Sequence, residues 1–173
     1  MRSLFVAISF ALLSGCDQQM GELMDALAGT ETNTVVLMNE PVVIDSSGLT
    51  LGGTDPMKVV GETSSLCLVL TSGVPLGPRT EMDRQFQKAM QGAVIDATVT
   101  TRAGESFDLT RTGQAWSKYG EVLAGDELSA CLSCGCGRSP RVGSEIAEIV
   151  VRSSPQLEVQ GIYWKSTDAY DQN

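Results

Sequence analysis

Ile95-Asp96-Ala97-Thr98-Val99-Thr100, then Arg102-Ala103-Gly104-Glu105, then Phe107-Asp108-Leu109-Thr110, is the stretch whose reading decides the fold. Apolar and polar residues alternate with a period of two on both sides of a glycine-containing turn. A strand presents successive side chains to opposite faces, so the pattern predicts an antiparallel hairpin with one buried and one wet face.

Outward from the hairpin the same pattern recurs in short runs. Residues 34–38, 41–45 and 49–51 read as strands, with Ser46-Ser47-Gly48 as the turn between the last two. Residues 57–60 and 65–71 follow, the latter a continuous apolar run of the kind that suits a buried strand. On the far side, 128–132, 145–152 and 156–165 complete the set, with Ser153-Ser154-Pro155 turning the chain between the last two. One helix is expected over 81–91, with Thr80 as N-cap, Asp83 completing a capping-box-like pair and Gly92 as the stop. Met82, Phe86, Ala89 and Met90 form its apolar stripe, and helix burial accounts for the methionines without metal ligation. Many short strands, frequent turns and a single short helix predict a mainly β domain. The expected architecture is an antiparallel β-sandwich, immunoglobulin-like in broad outline, with a small β-barrel as the alternative.

Ahead of this domain lie Arg2, an apolar run over 4–12 and then Leu13-Ser14-Gly15-Cys16. The apolar run is shorter than the about 20 residues that a spanning helix needs. Leu13-Ser14-Gly15-Cys16 resembles the lipobox of bacterial lipoprotein precursors. That resemblance covers the leader alone and implies a signal peptide over 1–15, removal of the leader, and acylation of Cys16 as the new N-terminus. Several acyl chains, at about 0.8 kcal/mol per buried methylene, would anchor the chain stably to a membrane. Asp17 resembles the residue that retains enteric lipoproteins at the periplasmic face of the inner membrane, with the outer membrane as the alternative address. Residues 16–33 read as a tether, within which Met20, Leu23, Met24 and Leu27 fall at helical spacing. Fully extended, it would reach about 55 Å. Residues 34–173 are then a single β-rich domain.

The chain carries 21 acidic and 12 basic residues, a formal charge of −9. That balance speaks against nucleic acid as a partner and against attraction to anionic headgroups, and it suits a basic protein partner. Histidine is absent from the sequence, which removes Ser-His-Asp, Cys-His and histidine-based metal arrangements. No Gly-x-Ser-x-Gly elbow occurs, and the glycine-rich run over 48–54 lacks the lysine and following helix of a phosphate loop. Asp126 and Glu127 are adjacent, so on a strand they would point to opposite faces; a solvated turn is the expectation for them. No catalytic residue, resident metal or cofactor is implied.

Five cysteines are present. With Cys16 spent on lipid, Cys67, Cys131, Cys134 and Cys136 remain, an even number that suits an oxidising compartment and two disulfides. Any scheme using all four joins Cys67 to the 131–136 cluster and leaves one local bond. Ring strain favours Cys131 with Cys134 or Cys136 as that local bond. The long bond would close a loop of over sixty residues, worth about 4 kcal/mol on the chain-entropy model. The rival readings are a four-thiolate metal site and a redox-active Cys131-x-x-Cys134.

For recognition, Arg138 and Arg141 form a basic spot beside the cysteine cluster. Trp116 with Tyr119 in one connection, and Tyr163 with Trp164 near the C-terminus, are anchors of the type enriched at interfaces. Alternation puts Tyr163 and Trp164 on opposite faces, one in the core and the other more exposed. The functional expectation is a non-enzymatic, lipid-anchored cell-envelope protein that binds a protein or serves as an accessory subunit. The alternatives are an immunity or inhibitor lipoprotein directed at a toxin or hydrolase, and a thiol-based metal or ligand carrier.

Overall fold

The computed structural model describes residues 32–52, 57–61, 63–73, 75, 77–117, 120, 122, 123, 125–134 and 139–167. The leader, Cys16, Asp17, Tyr119, Cys136 and Arg138 lie outside them.

The central hairpin forms as its alternation demands. Strands β6 (Val94–Thr101) and β7 (Ser106–Ser117) pair antiparallel with Ala97 opposite Leu109 and Val99 opposite Phe107. Ile95, Ala97, Val99 and Leu109 are buried, whereas Phe107 is only half-buried. The turn closes through Thr101 and Glu105, whose backbones bond at 2.9 Å, with Gly104 at a φ of +84°. Strand β7 runs on past the hairpin to Ser117 and takes in Trp116, which the sequence reading left in a connection.

The remaining strands are β1 (Thr32–Met38), β2 (Val42–Ile44), β3 (Leu49–Leu51), β4 (Met57–Lys58), β5 (Thr63–Ser72), β8 (Glu127–Cys134), β9 (Glu145–Ser154), β10 (Leu157–Val159) and β11 (Gly161–Thr167). One antiparallel sheet of nine strands runs in the order β1-β11-β5-β8-β7-β6-β9-β3, with β4 also on β9, and is nearly closed as a barrel. The domain is therefore mainly β and antiparallel with one described helix, as the pattern predicts, and it is also consistent with the small-barrel alternative. Strands β2 and β10 form a separate ribbon.

Two expected elements differ in detail. The single strand anticipated over 156–165 is two, because the chain breaks at Gln160. The Gln160 N–H donates to the Val69 carbonyl at 2.7 Å, so β10 joins the ribbon while β11 inserts between β1 and β5. The helix α1 (Arg79–Met90) starts before Thr80. Pro78 has the extended conformation of a cap, and its carbonyl accepts from the N–H groups of Glu81 and Met82, leaving Thr80 inside the first turn. Gln91 ends the helix in the left-handed region, and Gly92 follows at a φ of +74°.

The core lies within the curled sheet and beneath α1. Leu66, Leu68 and Leu70 of β5, Leu128, Ala130 and Leu132 of β8, and Ile162 and Trp164 of β11 alternate inward to meet Phe86 and Met90. Asp83 of α1 accepts a hydrogen bond from the Gln114 amide, and the Arg111 guanidinium stands 5.7 Å from the Phe86 ring centroid. Both contacts hold the helix to β7. Residues 59–61 carry the chain from β4 across to β5. There Ser166 Oγ accepts from the N–H groups of Val60 and Gly61 at 3.0 and 3.1 Å and so satisfies a crossing backbone.

Candidate functional site

The cysteines are resolved by register. Strands β5 and β8 pair so that Cys67 stands directly opposite Cys131, with a Cα–Cα distance of 4.2 Å and a disulfide between them. Opposed residues of an antiparallel pair come within such distances only where the ladder leaves them unbonded. The long-range bond expected from Cys67 is thus present. The local bond expected from Cys131 is not, since that sulfur is taken. Cys134 is also unsuited to it, because three residues along a strand reverse the face. Cys131 packs on the outer cluster and Cys134 partly against the main core. Cys134 is a free thiol, and its burial raises its pKa. A four-thiolate metal site would need Cys67 and Cys131 as thiolates, and the disulfide consumes both. Among the described residues no three Cys, Asp or Glu side chains converge as a metal cluster.

The outer face of the sheet carries a second, small apolar cluster of Cys67, Val69 and Tyr163, covered by Val122 and Leu123. Glu127 positions that cover. Contrary to the solvated turn expected for it, Glu127 lies on β8 with 1 % exposure and accepts hydrogen bonds from the N–H groups of Val122 and Leu123. Gly161 lets the cover approach, since a Cβ there would come within 2.8 Å of Val122.

Tyr163 and Trp164 therefore correct the expectation that one of them is exposed. Trp164 is fully buried in the main core and is withdrawn as a surface anchor, while Tyr163 is 5 % exposed beneath Val122 and Leu123. Trp116 is a strand residue whose backbone pairs with Leu128. Arg141 is exposed in the turn before β9, where its carbonyl accepts from the Ser144 N–H at 2.9 Å. The arginine spot is represented among the described residues by Arg141 alone.

A feature missed by sequence reasoning is an open groove of about 650 Å³ beside α1. Glu81, Arg84, Gln85 and Lys88 fall at helical spacing along one side of it, Glu158 and Gln160 line the other, and Leu70 and Ala89 form its apolar part. Arg84 donates to Glu81 at 2.5 Å and Gln85 donates to Glu81 at 3.3 Å. The Arg84 hydrogen bond, with its charge, holds the Glu81 carboxyl below the usual carboxylate range. Acceptors, donors and two-way amides alternate over a short distance. Carboxylates, cations and amides thus line one short groove around an apolar strip and offer both donors and acceptors to whatever enters it. The polar stripe at 81, 84, 85 and 88 is the signal that marks it in the sequence.

No helix among the described residues is long and apolar enough to cross a membrane. No protein-family model, characterised protein or solved structure matches the chain.

Proposed function

We propose that this chain is a lipid-anchored cell-envelope protein that works by protein contact, with the groove beside α1 as its recognition surface. The observation that carries the reading is the lining of that groove, where Arg84, Lys88, Glu81, Glu158 and the amides of Gln85 and Gln160 alternate around a strip of Leu70 and Ala89. The helix that presents half of it is held to β7 through Gln114 and Asp83 and through Arg111 and Phe86, so little ordering is left to be done on binding. The lipobox resemblance supplies the address: acylation at Cys16 would restrict the search to the membrane plane.

The test is site-specific photo-crosslinking of the full chain in intact cells. A crosslinker at Lys88 is expected to capture one dominant envelope protein that a crosslinker at exposed Asp108, on β7, does not. Equal capture from both positions, or from neither, would sink the groove as the recognition surface. Cys16→Ala is expected to release the chain from the membrane fraction and to remove acyl label.

A further inference from the structure

Cys131 and Cys134 have the spacing of a redox Cys-x-x-Cys pair, yet the sheet divides them. Both lie on β8, a central strand that pairs with β5 on one side and β7 on the other. Cys131 packs in the outer cluster, bonded to Cys67, whereas Cys134 packs partly against the main core. Leu132 stands between them with no exposed surface, and Ser133 pairs with Ser65 on β5 and with Thr110 on β7. To bring the Cys134 sulfur round to the disulfide, residues 132–134 must turn over, which pulls Leu132 from the core and breaks the ladder on both sides. Burial also raises the pKa of Cys134, so little thiolate is present in the folded chain. Thiol and disulfide are close in sequence and screened from each other by the sheet.

The unfolded chain has the opposite preference. The Cys67–Cys131 bond spans 64 positions, whereas Cys131 and Cys134 have only Leu132 and Ser133 between them. Closing a loop costs more entropy the longer the loop. Once the ladder is gone, the short ring is therefore the favoured bond.

We propose that Cys67, Cys131 and Cys134 form a thiol–disulfide exchange switch gated by the fold: the native register of β5 and β8 holds the long bond, and detachment of β8 lets Cys134 displace Cys67 from it. The Cys134 thiol gives its proton to water, and the resulting thiolate attacks Cys131 Sγ. The Cys131–Cys134 bond forms, the Cys67–Cys131 bond breaks, and Cys67 leaves as a thiolate that takes up a proton. The exchange consumes no oxidant and no reductant. A chain that loses β8 thus trades the bond that staples two strands together for a local ring, and Cys67, only 2 % exposed in the native sheet, becomes a free thiol. Loss of the strand is recorded covalently. The switch is independent of the groove beside α1, so either can fail without the other.

The test uses the full chain carrying Cys136→Ser, so that Cys134 is the thiol left in the cluster. Samples stand in native buffer or in urea at a pH of about 8.5, near the ordinary thiol pKa, with no added thiol. They are then quenched in acid, alkylated with a maleimide and digested with trypsin. Cleavage after Lys58, Arg79, Lys118 and Arg138 puts Cys67 on one peptide and Cys131 with Cys134 on another. Mass spectrometry therefore reads the native bond as a linked pair and the exchanged bond as a separate, alkylated Cys67 peptide. Alkylated Cys67 is expected to be at least about tenfold more abundant in urea than in native buffer. Adding Cys134→Ser is expected to return the urea sample to the native level. Leu132→Ala is expected to lower the urea concentration at which alkylated Cys67 appears. A Cys67 peptide that stays linked in urea overturns the proposal, as does equal alkylation in the two buffers. Alkylation that survives Cys134→Ser does so as well, because another thiol is then the attacking group. The Cys134 comparison stands without the alanine variant, so misfolding of that variant would not rescue the idea.

Discussion

Glu127 accepts a hydrogen bond from the backbone N–H of Leu123, four residues before it, and a second from Val122, so one buried carboxylate secures the cover over the Cys67–Cys131 disulfide. Charged acceptors form the stronger hydrogen bonds, and their removal leaves two amides without that partner. Glu127→Ala is expected to cost roughly 2–3 kcal/mol in urea unfolding and to speed reduction of the native disulfide by a small thiol. Glu127→Gln, which keeps an acceptor oxygen, should retain most of the protection. Unchanged reduction rates in the alanine variant would show that the cover does not shield the sulfurs.

The disulfide links positions 64 residues apart. On the chain-entropy model, its loss should destabilise by about 4 kcal/mol. The double variant Cys67→Ser, Cys131→Ser is the measurement, with urea unfolding followed by fluorescence. A loss below about 1 kcal/mol would mean that the reduced, unfolded chain is already constrained, as some engineered cases show.

Gly120 has a φ of +69°, and a Cβ there would stand 1.9 Å from the Leu123 carbonyl oxygen and 2.8 Å from Glu127 Oε1. Both the backbone conformation and the space exclude a side chain. Gly120→Ala is expected to displace Leu123 and reproduce the faster disulfide reduction of Glu127→Ala. Gly104→Ala, with a φ of +84° but open space around it, should cost stability without exposing the sulfurs.

Trp164 is fully buried, and its indole N–H has no hydrogen-bond partner among the described residues. An unmade buried hydrogen bond costs about 1–3 kcal/mol, which offsets part of what the large ring contributes by packing. Trp164→Phe is expected to lose less than about 1.5 kcal/mol, whereas Trp164→Ala should lose about 3–5 kcal/mol through the cavity it leaves. Comparable losses for the two variants would mean that the indole N–H is satisfied in solution.

Burial raises the pKa of Cys134, so at neutral pH the native thiol holds less of the reactive thiolate than an exposed cysteine. Iodoacetamide labelling of Cys134, read by mass spectrometry, should be slow in the native chain and fast in urea. The sign for stability is opposite to that of a salt-bridged carboxylate: a raised thiol pKa contributes below the unfolded thiol range. That contribution is lost as pH rises toward the folded value. Equal labelling in the two states would place the thiol in solvent.

Periodicity made the secondary elements legible, and pairing stayed hidden for a physical reason. The alternation of Ile95, Ala97 and Val99 and the helical spacing of Met82, Phe86 and Met90 are local patterns, and both elements form. The Cys67–Cys131 bond depends on the register of β5 against β8, strands that lie 64 residues apart at the bond. Local spacing carries no information about that register, so the short ring at Cys131 seemed the better local choice. Residues 156–165 alternate through Leu157 and Val159 and then slip phase at Gly161, beyond which Ile162 and Trp164 face the core, and the two halves take different partner strands on either side of Gln160. Glu127 beside Asp126 has the look of a turn because nothing local announces that Val122 and Leu123 will return to it. The groove escaped notice since Glu81, Arg84, Gln85 and Lys88 resemble an ordinary solvated helix face until Glu158 and Gln160 stand across from them.

The position of β11 between β1 and β5 sets a timetable for biogenesis. Its two neighbours are among the early strands to leave the ribosome, whereas β11 is the last strand described, so both wait through more than ninety further residues of synthesis for their common partner. Sequence-distant pairings of this kind are slow to form and leave strand edges open in the meantime. The pairing that joins β1 and β5 through β11 is therefore a late step in the assembly of this sheet, after the more local pairings of β6 to β9 are available.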